Sequence, residues 1–329
     1  MRNLPGQMDD LMEVASFHAR DSQLLCADVA AMIFPRAYFP ASDELLADIS
    51  ANIIQLVQML EQEITANEVA NSPSPPLLDR SAHLRDPALI DFMLARQAER
   101  RLEKRLSAKS DIALSATLPA RLLTNASHEI AEAAQTILAA TSLNRRSAAL
   151  EWRRLPPELL HALCWRIVAA VHPERSDETD QFRQNAQKML ACYDEGATTG
   201  NAVRKLLHML GSDYADEIGN AEKAGLALFV GNLAASLRLA EDHVLQLIDR
   251  PSIAAFALLQ RAAGSDFDPA MENIRLLYGF DTLTPRDITL FEDGFAALSL
   301  EDARRVVAEW QVARDSYLLP GRSDMEPLS

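Results

Sequence analysis

The side chains best suited to binding chemistry form a basic run in the middle of the chain. Arg96, Arg100 and Lys104 recur every four residues, and Arg101 and Arg105 extend the run. Because residues four apart lie on one face of an α-helix, this spacing predicts a helix with a positively charged side. Such a side attracts carboxylates. We therefore predict an interaction surface made of Arg96, Arg100, Arg101, Lys104 and Arg105.

Two partners fit this surface: an acidic protein, or the chain's own acidic N-terminal segment. That segment is held at high effective concentration if a short linker joins it to the basic helix. A plainer interpretation is also open. Glu99 and Glu103 lie within the run, so the arginines can pair inside the helix and leave a solvated face. A second basic cluster runs from Arg145 to Arg154 around Trp152.

A single histidine lies in a recognisable context. Residues 122–131, Leu-Leu-Thr-Asn-Ala-Ser-His-Glu-Ile-Ala, resemble the phosphoacceptor box of sensor histidine kinases, in which an acidic residue follows the histidine. The resemblance implies His128 as a phosphoacceptor in a histidine phosphotransfer protein. The alternative is a helix start, with Ser127 as the cap and Glu129 in the first turn, where the helix dipole favours acidic side chains.

Motifs for metal or cofactor chemistry are absent from the sequence. The histidines form no H-E-x-x-H motif, and the three cysteines form no C-x-x-C pair. His161 and Cys164 share a helix face but supply only two of the ligands that a zinc site needs. No phosphate-binding loop or nucleophile elbow occurs. We expect no metal, no cofactor and no catalytic residue, and an enzyme with an unrecognised site is kept as an alternative.

The charge balance restricts the class of partner. The chain has 32 basic and 47 acidic residues, a net charge of −15, and only 6% aromatic residues. Residues 81–170 alone are basic, with 13 basic and 9 acidic side chains. Strong net acidity and scarce aromatics argue against nucleic acid as a partner. No apolar run reaches the length of a membrane span, and the N-terminus lacks the apolar stretch of a signal peptide, so we expect a cytoplasmic protein.

The elements that would position these residues are helices. The apolar residues Leu45, Ile49, Ile53, Leu56 and Leu60 recur three or four apart, whereas the alternation typical of strands is missing. We predict an all-α fold, either an irregular multi-helix bundle or a HEAT-like stack of antiparallel helix pairs. The expected organisation is an acidic helical segment at 1–70, a proline-rich linker at 71–77, a HEAT-like domain at 78–320 and a disordered tail at 321–329.

Capping residues and prolines predict where helices begin. Asp86, Ser127, Asn220, Thr284 and Ser299 each precede an apolar-periodic stretch, as N-caps do. Starts are also predicted near Pro157, Asn201 and Asp268. Glycines at 196, 211, 264 and 279 are predicted helix stops, because a C-terminal cap often requires the left-handed conformation.

The chain from residue 86 onward resembles the bacterial domain-of-unknown-function 2336 family. The passages that carry the resemblance are Asp86–Arg96 (DPALIDFMLAR), Leu118–Leu123 with Ile130–Ala139, Leu155–Trp165 (LPPELLHALCW) and Leu258–Gly264. The resemblance implies an all-helical, HEAT-like fold, and it carries over no catalytic residues. From these observations we expect a protein–protein interaction module in cytoplasmic signalling or regulation.

Overall fold

The chain is all-α wherever the structure describes it. The computed structural model describes residues 43–65, 87–109, 117–146, 152–171, 179–250, 253–278 and 285–318, and these ranges contain helices, turns and no strand. The predicted fold class is therefore confirmed. The predicted linker at 71–77 and tail at 321–329 lie outside the described residues, and the HEAT-like stack stays a prediction.

The described ranges contain fifteen α-helices. In chain order they are α1 (Asp43–Ile64), α2 (Pro87–Lys109), α3 (Leu118–Leu122), α4 (His128–Arg146), α5 (Pro157–Val171), α6 (Thr179–Ala191), α7 (Thr199–Leu210), α8 (Ala215–Ile218), α9 (Ala221–Ala224), α10 (Leu226–Leu237), α11 (Glu241–Ile248), α12 (Ala254–Ala262), α13 (Phe267–Tyr278), α14 (Pro285–Ala297) and α15 (Leu300–Leu318). Single 3₁₀ turns at Trp152–Arg154, Glu195–Ala197 and Gly211–Tyr214 lie between them.

The buried side chains form two separate apolar clusters. The smaller, which we call the small core, is built from α1, the first half of α2, the 3₁₀ turn at Trp152, α5 and α6. Its α1 contribution is the predicted stripe, including Ile49, Ile53, Leu56 and Leu60, each at most 1% exposed. The described part of the N-terminal segment therefore packs against the helices that follow it.

The larger cluster, the large core, is centred on α10 and α12. It includes the second half of α2, α4, α7 and α9 to α15. In α12 every residue except Arg261 is buried, and in α10 the residues from Leu228 to Gly231 are buried in succession. A helix that is apolar on all sides requires neighbours on all sides, which α2, α7, α11, α13 and α15 provide between them.

Helix α2 belongs to both cores. Its residues from Leu89 to Leu94 lie in the small core, and Ala95, Ala98, Leu102 and Leu106 lie in the large core. A polar contact reinforces its packing on α11, because the Gln246 amide donates to the Asp91 carboxylate at 2.9 Å and to the Asp91 carbonyl at 3.0 Å. The basic run is thus placed on the helix that joins the two cores.

Most helices begin where the capping residues predict. Asn220 accepts hydrogen bonds from the backbone N–H groups of Glu222 and Lys223, and Ser299 accepts one from Asp302. Two starts differ from the prediction. Helix α7 begins at Thr199, with Thr198 as its cap, and α13 begins at Phe267, ahead of the predicted Asp268. Gly196 lies in a 3₁₀ turn rather than at a helix end, since α6 already ends at Ala191.

Candidate functional site

The basic run of α2 lies along the polar margin of its contact with α11. The apolar face of α2 is buried in the two cores, so its arginines emerge at the edge of that contact. Helix α11 supplies two carboxylates there, Asp242 near its start and Asp249 immediately after its end. Both acids lie about 150 residues from the arginines in sequence. The local spacing of charged residues therefore could not identify them as the partners of the arginines.

Arg96 is the most deeply placed of the five basic residues. Its guanidinium donates to Asp242 at 2.6 Å and to Glu99 at 2.7 Å, and it lies 5.1 Å from the centre of the Phe92 ring. Burial acts to lower the pKa of Arg96, but the carboxylates of Glu99 and Asp242 outweigh it and raise that pKa. Arg96 therefore fastens α2 to α11 as a permanent cation.

Arg101 and Arg105 share one carboxylate. Arg101 donates to Asp249 at 2.6 and 2.8 Å, and Arg105 lies 3.0 Å from the other oxygen of the same group. Burial raises the pKa of Asp249 even though Arg101, Arg105 and Arg250 act to lower it. The side chains of Arg101 and Arg105 remain 42% and 32% exposed, so both positive charges are accessible to a partner at the surface.

The two remaining basic residues lie in different surroundings. Arg100 is half-buried, and its pKa is lowered by burial against the opposing effect of Glu99 and of Asp48 in α1. Asp48 of the N-terminal segment therefore acts electrostatically on the basic helix. Lys104 is exposed, and no carboxylate of the described ranges lies within ion-pair distance of it.

These contacts separate the predicted surface into parts with different roles. Arg96 faces Asp242, and Arg100 faces Asp48. The third group consists of Arg101 and Arg105, which bind Asp249, together with the exposed Lys104 beside them. We call this group the basic end of α2. The intrahelical pairing that we predicted for Glu99 is present in its bond to Arg96.

A groove of about 430 Å³ opens beside Arg96, where the two cores meet. Six elements form its walls: α2, the start of α5 with the turn before it, the segment from Tyr193 to Thr198, α7, the end of α10 and the start of α11. Its charged lining comprises three arginines and four carboxylates: Arg96, Arg154, Arg204, Glu158, Glu195, Glu241 and Asp242. The groove was not predicted from sequence, because its walls come from distant parts of the chain.

Glu241 is the most buried of the three glutamates that line the groove. None of the arginines in the lining binds its carboxylate directly. Within the described ranges no hydrogen bond or ion pair is made by its carboxylate, although Arg96 and Arg204 act on it at longer range. Burial, together with Asp242, raises the pKa of Glu241. Gly200 leaves it room, since a β-carbon there would lie 3.3 Å from Glu241 Oε2.

The opposite wall is also acidic. The Tyr193 hydroxyl donates to the Leu155 carbonyl at 2.6 Å, and this bond fixes the ring beside Glu158, Asp194 and Glu195. Burial and the charges of Glu195, Glu158 and Asp194 raise the pKa of Tyr193. The groove therefore has carboxylates near Tyr193 as well as on α11.

The histidine candidates lie elsewhere. His128 is exposed at the first residue of α4, where the predicted helix start places it, and phosphotransfer through it stays a prediction. His161 Nε2 accepts a hydrogen bond from Trp165 Nε1 at 3.0 Å. Burial raises the pKa of the Cys164 thiol to about 12, so that thiol is a poor metal ligand.

The described residues hold neither a metal-binding cluster nor a membrane-spanning helix. They contain no group of three or more side chains arranged to hold a metal ion. None of their helices combines the length and the apolar character needed to cross a bilayer. Comparison with family models, with curated proteins and with solved structures finds no match to this chain.

Proposed function

We propose that this protein is a protein–protein interaction module that binds an acidic partner through the basic end of α2. The observation that supports this function is the local surplus of positive charge: Arg101 and Arg105 share one carboxylate, that of Asp249, and the neighbouring Lys104 forms no ion pair within the described ranges. The chain as a whole is strongly acidic, with a net charge of −15. A local basic surface attracts partners of opposite charge, whereas the net negative charge of the whole molecule repels its own copies.

The contacts identify Lys104 as the residue with which to test this proposal. Reversing Arg101 would place a new carboxylate beside Asp249, so a loss of binding could come from a loosened contact between α2 and α11. Lys104 is exposed and forms no ion pair within the described ranges, so Lys104→Glu changes the surface charge without that complication. Lys188→Glu, on the exposed side of α6, is a control with the same change in net charge.

The test measures binding of a labelled polyglutamate peptide to the full chain at low ionic strength. We expect Lys104→Glu to weaken binding about tenfold and Lys188→Glu to leave it unchanged, with affinity falling as salt is added. Equal weakening by both substitutions would show that the peptide senses only net charge and would overturn the proposed site. Affinity purification of the tagged protein from its native host then asks whether a natural partner is lost with the same variant.

The similarity to the domain-of-unknown-function 2336 family is compatible with this proposal and stays a prediction. Histidine phosphotransfer is the alternative function, and it has its own test. Phosphoryl uptake by the wild-type chain, lost in His128→Ala and kept in His161→Ala, would favour phosphotransfer over the interaction module.

A further inference from the structure

We propose that the groove between the two cores is a binding site for an organic cation, whose guanidinium or ammonium group pairs with Glu241. This site is separate from the basic end of α2 and does not depend on the proposed function. Its volume of about 430 Å³ falls in the range of small-ligand pockets.

The net charge of the groove lining favours a positively charged ligand. Four carboxylates and three arginines line it, and the carboxylate of Glu99, which is bonded to Arg96, lies beside this lining. Arg96 is already neutralised by Glu99 and Asp242. The remaining potential is negative, and a cation entering the groove gains from it.

Glu241 supplies the specific contact. A half-buried carboxylate without a hydrogen bond is costly, because water that would solvate it has been partly removed. A bound guanidinium would donate two parallel hydrogen bonds to it, as planar guanidinium groups do to carboxylates. The groove already contains this kind of contact, since the Arg96 guanidinium binds Asp242 at 2.6 Å and lies over the Phe92 ring.

The experiment titrates the full-length protein by calorimetry with N-acetylarginine amide, N-acetyllysine amide and N-acetylcitrulline amide, called arginine amide, lysine amide and citrulline amide, in which acetylation removes the charge of the α-amino group. Citrulline amide has the shape of arginine amide but carries no charge on its side chain. We expect arginine amide to bind, lysine amide to bind more weakly and citrulline amide not to bind. Equal binding of arginine and citrulline amides would overturn the proposal, because the site would then not recognise charge.

Variants locate the binding site. Glu241→Gln is expected to weaken arginine amide at least about tenfold while the helical circular dichroism is unchanged, because the carboxylate forms no bond within the described part of the fold. Glu129→Gln is the matched control, since it removes another first-turn glutamate, at the start of α4. Unchanged binding in Glu241→Gln would overturn the proposal.

A second variant keeps the proposal testable if Glu241→Gln fails to fold. Ala235 is exposed on the groove wall near the end of α10, so Ala235→Arg places an internal cation in the groove and should abolish binding. An acetylated, amidated Gly-Arg-Gly peptide distinguishes the source of the cation. Tighter binding of the peptide than of arginine amide assigns the site to a side chain of a partner polypeptide, and the reverse order assigns it to a small molecule.

Discussion

The two cores bury similar residue types but are built on different principles. The large core surrounds α10 and α12, helices that are apolar on nearly every side and are enclosed by other helices. The small core is made of one-sided helices, and α1 closes it with a single stripe while Ile54 and Gln55 face solvent. An enclosed helix cannot shift to fill a void, whereas a peripheral helix can. The two cores should therefore differ in their tolerance of lost volume.

The largest effect is expected from matched leucine truncations in the two cores. Leu258 in α12 and Leu60 in α1 are both 0% exposed. Leu258→Ala should destabilise the fold by about 4–5 kcal/mol and Leu60→Ala by about 2.5–3 kcal/mol, because the cost of a cavity depends on how far its surroundings collapse. Urea denaturation followed by circular dichroism measures both. Equal losses would mean that α1 is held as rigidly as α12.

An intermediate effect is expected where α10 meets α7 in the large core. Gly231 faces Val203, and a β-carbon at Gly231 would overlap Val203 Cγ1. Gly231→Ala should therefore destabilise the protein by about 1–3 kcal/mol, despite the better helix propensity of alanine. Combining it with Val203→Ala should cost less than the two single changes added together, because the second substitution removes the overlapping methyl group. Strict additivity would contradict this close approach.

The smallest effect is a pH dependence that belongs to the small core. Glu61 of α1 is 7% exposed, and burial raises its pKa. Since the folded protein holds this proton more tightly than the unfolded chain, the contribution of Glu61 favours folding below its unfolded pKa of about 4.3. That contribution is lost as the pH rises through the folded pKa.

Glu61→Gln removes this dependence. We expect the free energy of unfolding of the wild type to fall relative to that of Glu61→Gln as the pH is raised from acidic to neutral values. Glu63→Gln, exposed on the same helix, is the control and should follow the wild type. A difference between wild type and Glu61→Gln that stays constant with pH would show that the Glu61 carboxyl is solvated despite its burial.

Much of the fold could be predicted from local patterns. The stripe from Leu45 to Leu60 predicts α1, and the caps at Asn220 and Ser299 predict the starts of α9 and α15, because each depends on residues within a turn or two. The same local reasoning predicts that α7 begins near Asn201, whereas the helix begins two residues earlier, at Thr199. Thr198 and Asn201 are both plausible caps, and only the structure shows the Asn201 N–H donating to Thr198 Oγ1.

The candidate sites also combine features that local sequence predicts with features that it does not. The positively charged side of α2 follows from the spacing of Arg96, Arg100 and Lys104. The pairing of Arg96 with Asp242 and of Arg101 with Asp249 does not, because each contact closes a loop of nearly 150 residues. The sequence pattern therefore locates the charge, and the packing of α11 decides which part of it stays exposed.

Local sequence patterns specify the helical class, the apolar faces and the position of the basic run, since helix periodicity and capping are short-range properties of the chain. Helix packing places α2 in both cores, divides its arginines between internal acids and a basic end, and forms a groove with Glu241 in its wall where the cores meet. These features depend on which helices pack together, and that choice is made by the burial of complementary surfaces from distant segments.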